Sequence, residues 1–95
     1  MKRDGTFYVL NACADIGRAI EALEKGKIEY YESSRARAFE TLTHCIPISA
    51  WSAYDEGLLL IRESDLARED GRLDEYKTAL DAFAVELMSS VYSRS

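Results

Sequence analysis

Residues 9–23 have the sequence VLNACADIGRAIEAL, in which large apolar side chains recur at alternating steps of four and three. These side chains belong to Val9, Cys13, Ile16, Ile20 and Leu23. Steps of three and four place residues on one face of an α-helix, whereas a half-buried strand alternates every two residues. The stretch therefore predicts an amphipathic helix with one face turned toward a core.

Three further segments carry the same spacing, and residues that end helices separate them. Gly26 and Gly71 each follow a helical pattern, and glycine is common just past a helix C-terminus. Pro47 ends the second segment, because proline has no N–H to donate to a continuing helix. We predict a single all-α domain over residues 1–95, a four-helix up-down-up-down bundle made of two consecutive helical hairpins. Its helices are expected over about 6–25, 28–45, 49–69 and 72–92.

Capping residues are expected at the starts of two helices. Asp4 or Thr6 would cap the first helix and Ser49 the third, because their side-chain oxygens accept from the free N–H groups of a first turn. Ile48 would then pack on Ala53 as a hydrophobic staple. These residues would fix where the two helices enter the bundle.

The charge balance of the chain is acidic. Seventeen Asp and Glu residues against twelve Lys and Arg give a net charge of −5. This charge disfavours contact with nucleic-acid phosphates or anionic membrane surfaces, and it favours a basic partner. The longest large-apolar runs, residues 7–10 and 58–61, are too short to span a membrane. We expect no direct nucleic-acid binding and no membrane insertion.

The two cysteines, Cys13 and Cys45, both lie within helical apolar patterns. Neither has the spacing to another Cys or His that a zinc site requires. We expect buried, reduced thiols in a cytoplasmic protein, with no metal and no cofactor. The alternative is a disulfide between the two, because the predicted hairpin brings both to the same end.

Formal charge is distributed unevenly along the chain. Residues 5–14 and 41–54 contain no charged side chain, and residues 84–93 contain only Glu86. In an up-down-up-down bundle these three segments lie at the same end, which we call the uncharged pole. The opposite end, around Gly26 and Gly71, would hold most of the charge.

Aromatic side chains and methionine are interleaved with uncharged polar residues at this pole, a composition typical of an interface core. Residues 7–10 also point apolar groups in every direction around the first helix, which predicts burial on all sides. The alternative is a first helix that is simply central, with ordinary serines and threonines on the surface. The candidate interface or ligand-binding residues are Phe7, Tyr8, Asn11, Trp51, Tyr54, Met88 and Tyr92.

Six residues separate Arg37 from His44, a spacing that resembles the Arg-x(4–6)-His pattern of HEPN-type ribonucleases. The resemblance implies an arginine that stabilises phosphate charge and a histidine that helps to activate a ribose 2′-hydroxyl. Ala38 stands where that family often has a polar residue. In the alternative interpretation, His44 only ends the second helix.

Six carboxylates could together resemble the phosphates of a nucleic acid, as in acidic inhibitors encoded by phages and mobile elements. They are Glu63, Glu69, Asp70, Asp74, Glu75 and Asp81. Intervening bases, among them Arg68, Arg72 and Lys77, offer intrahelical pairs that would neutralise this face.

The sequence therefore favours a non-enzymatic interaction protein. We expect a homodimer that binds, and in doing so inhibits or regulates, another protein. Two alternatives stay open: a binder of a small planar or nucleotide ligand at the uncharged pole, and a ribonuclease that uses Arg37 and His44.

Overall fold

The computed structural model of this protein describes residues 4–93, and their side chains through Ser90. Four helices follow one another along the chain, and no strand occurs within that range. They are α1 (Gly5–Glu24), α2 (Ile28–Thr43), α3 (Trp51–Glu69) and α4 (Leu73–Ser93). The prediction of an all-α, four-helix fold is confirmed.

The first helix occupies the centre of the bundle, where it packs against α2, α3 and α4. Among the described residues, no Cα atoms of α2 and α4 come within 8 Å of each other. The predicted inner face of α1 is buried from Val9 to Ile20, and Leu23 is partly buried. Residues from the other three helices complete the main core: Ala38, Leu42, Ile61 and Leu80.

The two hairpin turns have the same construction. Gly26 and Gly71 adopt φ values of 72° and 70°, in the left-handed region that glycine tolerates best. The following residues, Lys27 and Arg72, each donate a backbone hydrogen bond of 2.8 Å to the carbonyl five positions earlier. This is the Schellman pattern, which satisfies carbonyls at a helix end. The prediction of glycine at both helix ends is confirmed.

The two predicted caps have different outcomes. Asp4 caps α1, and its Oδ1 accepts from the backbone N–H of Phe7 at 3.1 Å. The prediction for Ser49 is wrong: Ala50 is the N-cap of α3 and makes no side-chain capping bond. Ser49 has a φ of 56°, whereas a capping serine requires an extended backbone. Ser49 is therefore a turn residue that precedes α3, which begins at Trp51.

Contacts between helix ends define the two poles. Tyr8, near the start of α1, stacks on His44 at the end of α2. A methyl group on Gly5 would lie 2.6 Å from the Cβ of Ala53, so the starts of α1 and α3 also meet. At the other pole, Lys77 of α4 pairs with Glu21 of α1. These contacts agree with the predicted up-down order, which itself stays a prediction.

Candidate interface at the uncharged pole

The connection between α2 and α3 forms one part of the uncharged pole. His44, Cys45 and Ile46 donate backbone hydrogen bonds to the carbonyls three residues earlier, at 3.0–3.2 Å. Ala50 then donates to the carbonyl of Cys45 at 2.9 Å and closes the connection. These bonds hold seven residues in a tight series of turns after the last residue of α2.

The tight connection directs its apolar side chains to opposite sides. Cys45 is fully buried, while Ile46, Pro47 and Ile48 are exposed. Trp51 follows at the first position of α3 and is 53% exposed. The two isoleucines are not among the predicted site residues, and Ile48 was expected to pack on Ala53, although the absence of charge from 44 to 51 is a usable signal. Three large apolar side chains are therefore exposed within residues 46–51.

Three aromatic rings lie against one another beside this connection. The Tyr8 ring stacks on the His44 imidazole with centroids 5.4 Å apart and planes 22° apart. Phe7 meets Tyr8 edge-on, also at 5.4 Å. Both Phe7 and Tyr8 are half-buried, so part of each ring already packs within the chain.

His44 is the C-cap of α2 and is exposed, as Arg37 is. A helix rises about 1.5 Å per residue, so these two positions lie roughly 10 Å apart along α2. The position of His44 agrees with its interpretation as the residue that ends the helix. The ribonuclease hypothesis is neither supported nor tested by this arrangement.

A groove of about 560 Å³ lies between the starts of α1 and α3 and reaches Leu87 of α4. Its lining includes Gly5, Ala50 and the Trp51 ring. Two carboxylates, Asp4 and Glu56, also line it. Both lie just outside the uncharged segments, so the groove has acidic groups beside an otherwise uncharged surface.

The predicted site residues differ in exposure. Trp51, Met88 and Asn11 are exposed. Tyr54 is half-buried, packs against the main core and meets Trp51 edge-on at 6.2 Å, so its ring belongs largely to the interior. The side chain of Tyr92 lies outside the described residues. The exposed Val85 of α4 was missed, because it stands off the regular apolar stripe of that helix.

The central position of α1 accounts for one observation behind the interface hypothesis. Phe7, Tyr8 and Leu10 are half-buried and Val9 is buried, since α1 contacts three other helices. The apolar run is therefore explained within the chain. The exposed residues of the α2–α3 connection are not explained in this way.

Neither cysteine has the properties of an activated nucleophile. Burial, and then the negative charge of Glu56, raise the pKa of the Cys13 thiol from 9.0 to about 12. Burial also raises the pKa of Cys45. Both thiols are free and buried, as expected.

No family model, curated protein or solved structure matches this chain. Within the described range, no group of three His, Cys, Asp or Glu residues is placed to hold a metal ion. No helix in that range has the length and hydropathy needed to cross a membrane. Function is therefore inferred from the residues themselves.

Proposed function

We propose that this protein is a non-enzymatic, cytoplasmic interaction protein that forms a homodimer through the uncharged pole and regulates another protein by binding it. The observation that carries the proposal is the exposed apolar segment formed by Ile46, Ile48 and Trp51. Burial of apolar surface contributes roughly 25 cal/mol per Å², so covering these side chains would favour association. Tryptophan in particular is enriched among the residues that dominate binding energy.

Electrostatics favours a second copy of this chain as the occupant of the pole. Two molecules that each carry a net charge of −5 repel one another over most of their surfaces. The repulsion is smallest where neither surface has formal charge, as at residues 41–54. A two-fold symmetric dimer can place the same surface of each copy in the interface.

The oligomeric state and one matched pair of variants test this proposal. Sedimentation equilibrium at high micromolar concentration should give twice the chain mass of 10.7 kDa. Trp51→Glu should give the monomer mass, because it would bury a charge in the interface. Leu66→Glu is the control, since Leu66 lies at the other end of α3 and is 47% exposed, close to the 53% of Trp51.

Two results would contradict the homodimer. One is a wild-type protein that stays monomeric at every concentration. The other is equal disruption by Trp51→Glu and Leu66→Glu, which would mean that added charge acts on the fold and not on the pole. Circular dichroism of each variant separates loss of association from loss of folding.

A second candidate function is the binding of a small planar ligand in the groove beside Trp51. The groove volume of about 560 Å³ is in the range of ligand pockets, which are typically about 300–1,000 Å³. Asp4 and Glu56 favour a cationic ligand over a nucleotide, because their carboxylates would repel phosphate. Trp51 is the one tryptophan of the chain, so quenching of its fluorescence by a planar cation such as acridine orange tests this function directly.

A further inference from the structure

The outward face of α3 carries exposed leucines. Leu59 is 52% exposed and Leu66 is 47% exposed. Their positions differ by seven, which is about two helical turns, so both lie on the same face. The buried positions of the helix, among them Gly57 and Ile61, occupy the opposite face. The outward face of α3 thus presents two exposed leucines about two turns apart, with the exposed Arg62 and Glu63 between them.

Carboxylates lie beside and between the two leucines. Apart from Glu56, which lines the groove at the uncharged pole, the exposed acidic residues of α3 and its C-cap are Asp55, Glu63, Glu69 and Asp70. In the described part of the chain, no ion pair within 4.0 Å involves any of these four. The two exposed bases of α3 are Arg62 and Arg68, and Arg68 lies over the Tyr31 ring of α2 at 4.8 Å. The outward face therefore combines apolar contact area with a net negative charge.

A groove beside Leu66 extends this face toward α4. It has a volume of about 460 Å³, and its apolar lining includes Leu66, Ala67 and the Tyr76 ring. The hydroxyl group of Tyr76 donates to the Leu60 carbonyl at 2.6 Å, so its polar end is already satisfied. The charged lining consists of Glu63, Asp70, Arg72 and Glu75.

We propose that the outward face of α3 binds a basic amphipathic α-helix of a partner protein. The apolar face of that helix would cover Leu59 and Leu66, which lie about two turns apart and could both contact i, i+7 anchors of the bound helix. Lysine or arginine side chains beside those anchors would lie next to Glu63 and Asp70. Charge complementarity of this kind orients a partner and excludes acidic competitors.

A second copy of this chain does not fit this surface. It would bring an equally acidic α3, and its basic turn at Lys25–Lys27 is not helical and adjoins Glu24 and Glu29. The surface is also separate from the uncharged pole. Homodimer formation and helix binding can therefore be tested independently of each other.

A synthetic peptide of about 18 residues is the probe, with leucines along one helical face and lysines elsewhere. Two control peptides have glutamate in place of lysine, or the same composition with the leucines distributed around the helix. Isothermal titration calorimetry on the full-length chain should show saturable binding of the amphipathic basic peptide alone. Equal binding of the peptide with distributed leucines would overturn the proposal, because simple charge attraction would then suffice. Absence of binding by the wild-type chain would overturn it as well.

Variants of the exposed residues locate the binding surface. The double variant Leu59→Gln and Leu66→Gln keeps the charge and should weaken binding by at least about tenfold, or about 1.4 kcal/mol. The double variant Glu63→Lys and Asp70→Lys should weaken it similarly. Val85→Gln on α4, at a residue that is 62% exposed, is the matched control and should have no effect.

Trp51→Glu separates this proposal from the homodimer. It should abolish dimer formation and leave the peptide affinity unchanged. Loss of peptide binding in Trp51→Glu, together with normal binding in the double leucine variant, would place the peptide at the uncharged pole and overturn the proposal.

Discussion

Cys13 shows how burial in the core of this protein changes the ionisation of a single side chain. The residue is buried in the face of α1 that contacts the rest of the core. Loss of hydration disfavours the thiolate, and the nearby carboxylate of Glu56 disfavours it further. A thiol held neutral in this way fills space in the core as a small apolar group.

The raised pKa of Cys13 predicts a loss of stability at alkaline pH. In the unfolded chain the thiol ionises near its ordinary pKa of 9.0, while in the folded chain it stays protonated to about 12. The unfolded state therefore binds fewer protons between these values, and the free energy of unfolding falls as the pH rises through this window. One such group contributes at most about 1.4 kcal/mol per pH unit.

Urea titrations at several pH values from about 8 to about 10.5 measure this effect. Cys13→Ala lowers stability at every pH through lost packing, but it should flatten the decline with pH. An identical pH slope in the two proteins would contradict the prediction. Cys45→Ala serves as the comparison, because burial raises the pKa of that thiol without a contribution from Glu56.

At the level of helices, periodicity and glycine placement were sufficient to predict the elements. The spacing of Val9, Cys13, Ile16 and Ile20 indicates α1 because every turn must present an apolar residue to the core. The structure of the α2–α3 connection could not be predicted in the same way. Whether Ser49 caps a helix or turns the chain depends on its φ angle, and the spacing of apolar residues does not determine that angle.

Substitution by alanine at two helical glycines, Gly57 and Gly17, is expected to change the stability of the protein in opposite directions. A Cβ on Gly57 would lie within 3 Å of the fully buried Leu42 side chain, so α2 and α3 would have to separate. Gly17 of α1 has nothing within 4 Å of the corresponding position. Gly57→Ala should destabilise the protein by roughly 1–3 kcal/mol through overpacking. Gly17→Ala should stabilise it by roughly 0.5–1 kcal/mol through higher helix propensity.

Thermal and urea unfolding of the two alanine variants provide the measurement. The change in side chain is the same in both, so the difference in sign reports only the space around each glycine. If Gly57→Ala were neutral, the close approach of α2 and α3 at Leu42 would be wrong.

At the scale of the whole molecule, the sequence predicts where charge is distributed better than it predicts which side chains are exposed. The uncharged segments can be read directly from residues 5–14 and 41–54. Which of their aromatic rings are exposed depends on the rotation of each helix: Trp51 faces outward, while Tyr54, three residues later, packs on the core. The exposed leucines of α3 were also missed, because Leu59 adjoins the buried stripe in sequence while pointing away from it.

Salt should affect the two proposed surfaces in opposite ways. The peptide bound at Glu63 and Asp70 should lose affinity as salt rises from about 0.05 M to about 0.5 M, because screening weakens attraction between exposed charges. The homodimer should keep its affinity or tighten, since the same screening reduces repulsion between two copies with a net charge of −5. Calorimetry and sedimentation over one salt series measure both, and a dimer that dissociates at high salt would contradict an interface at the uncharged pole.

The central position of α1 has a consequence for how this chain reaches its native state. During synthesis α1 leaves the ribosome before any of the three helices that contact it. Each later helix can then dock on a surface that already exists, beginning with the short-range hairpin to α2, and contacts between near neighbours in sequence form fastest. A circular permutant that begins at Ile48 would place α1 after α3 and α4, and those two helices would emerge with no central helix to cover their apolar faces. Such a rearranged chain should depend more on chaperones than the natural order does.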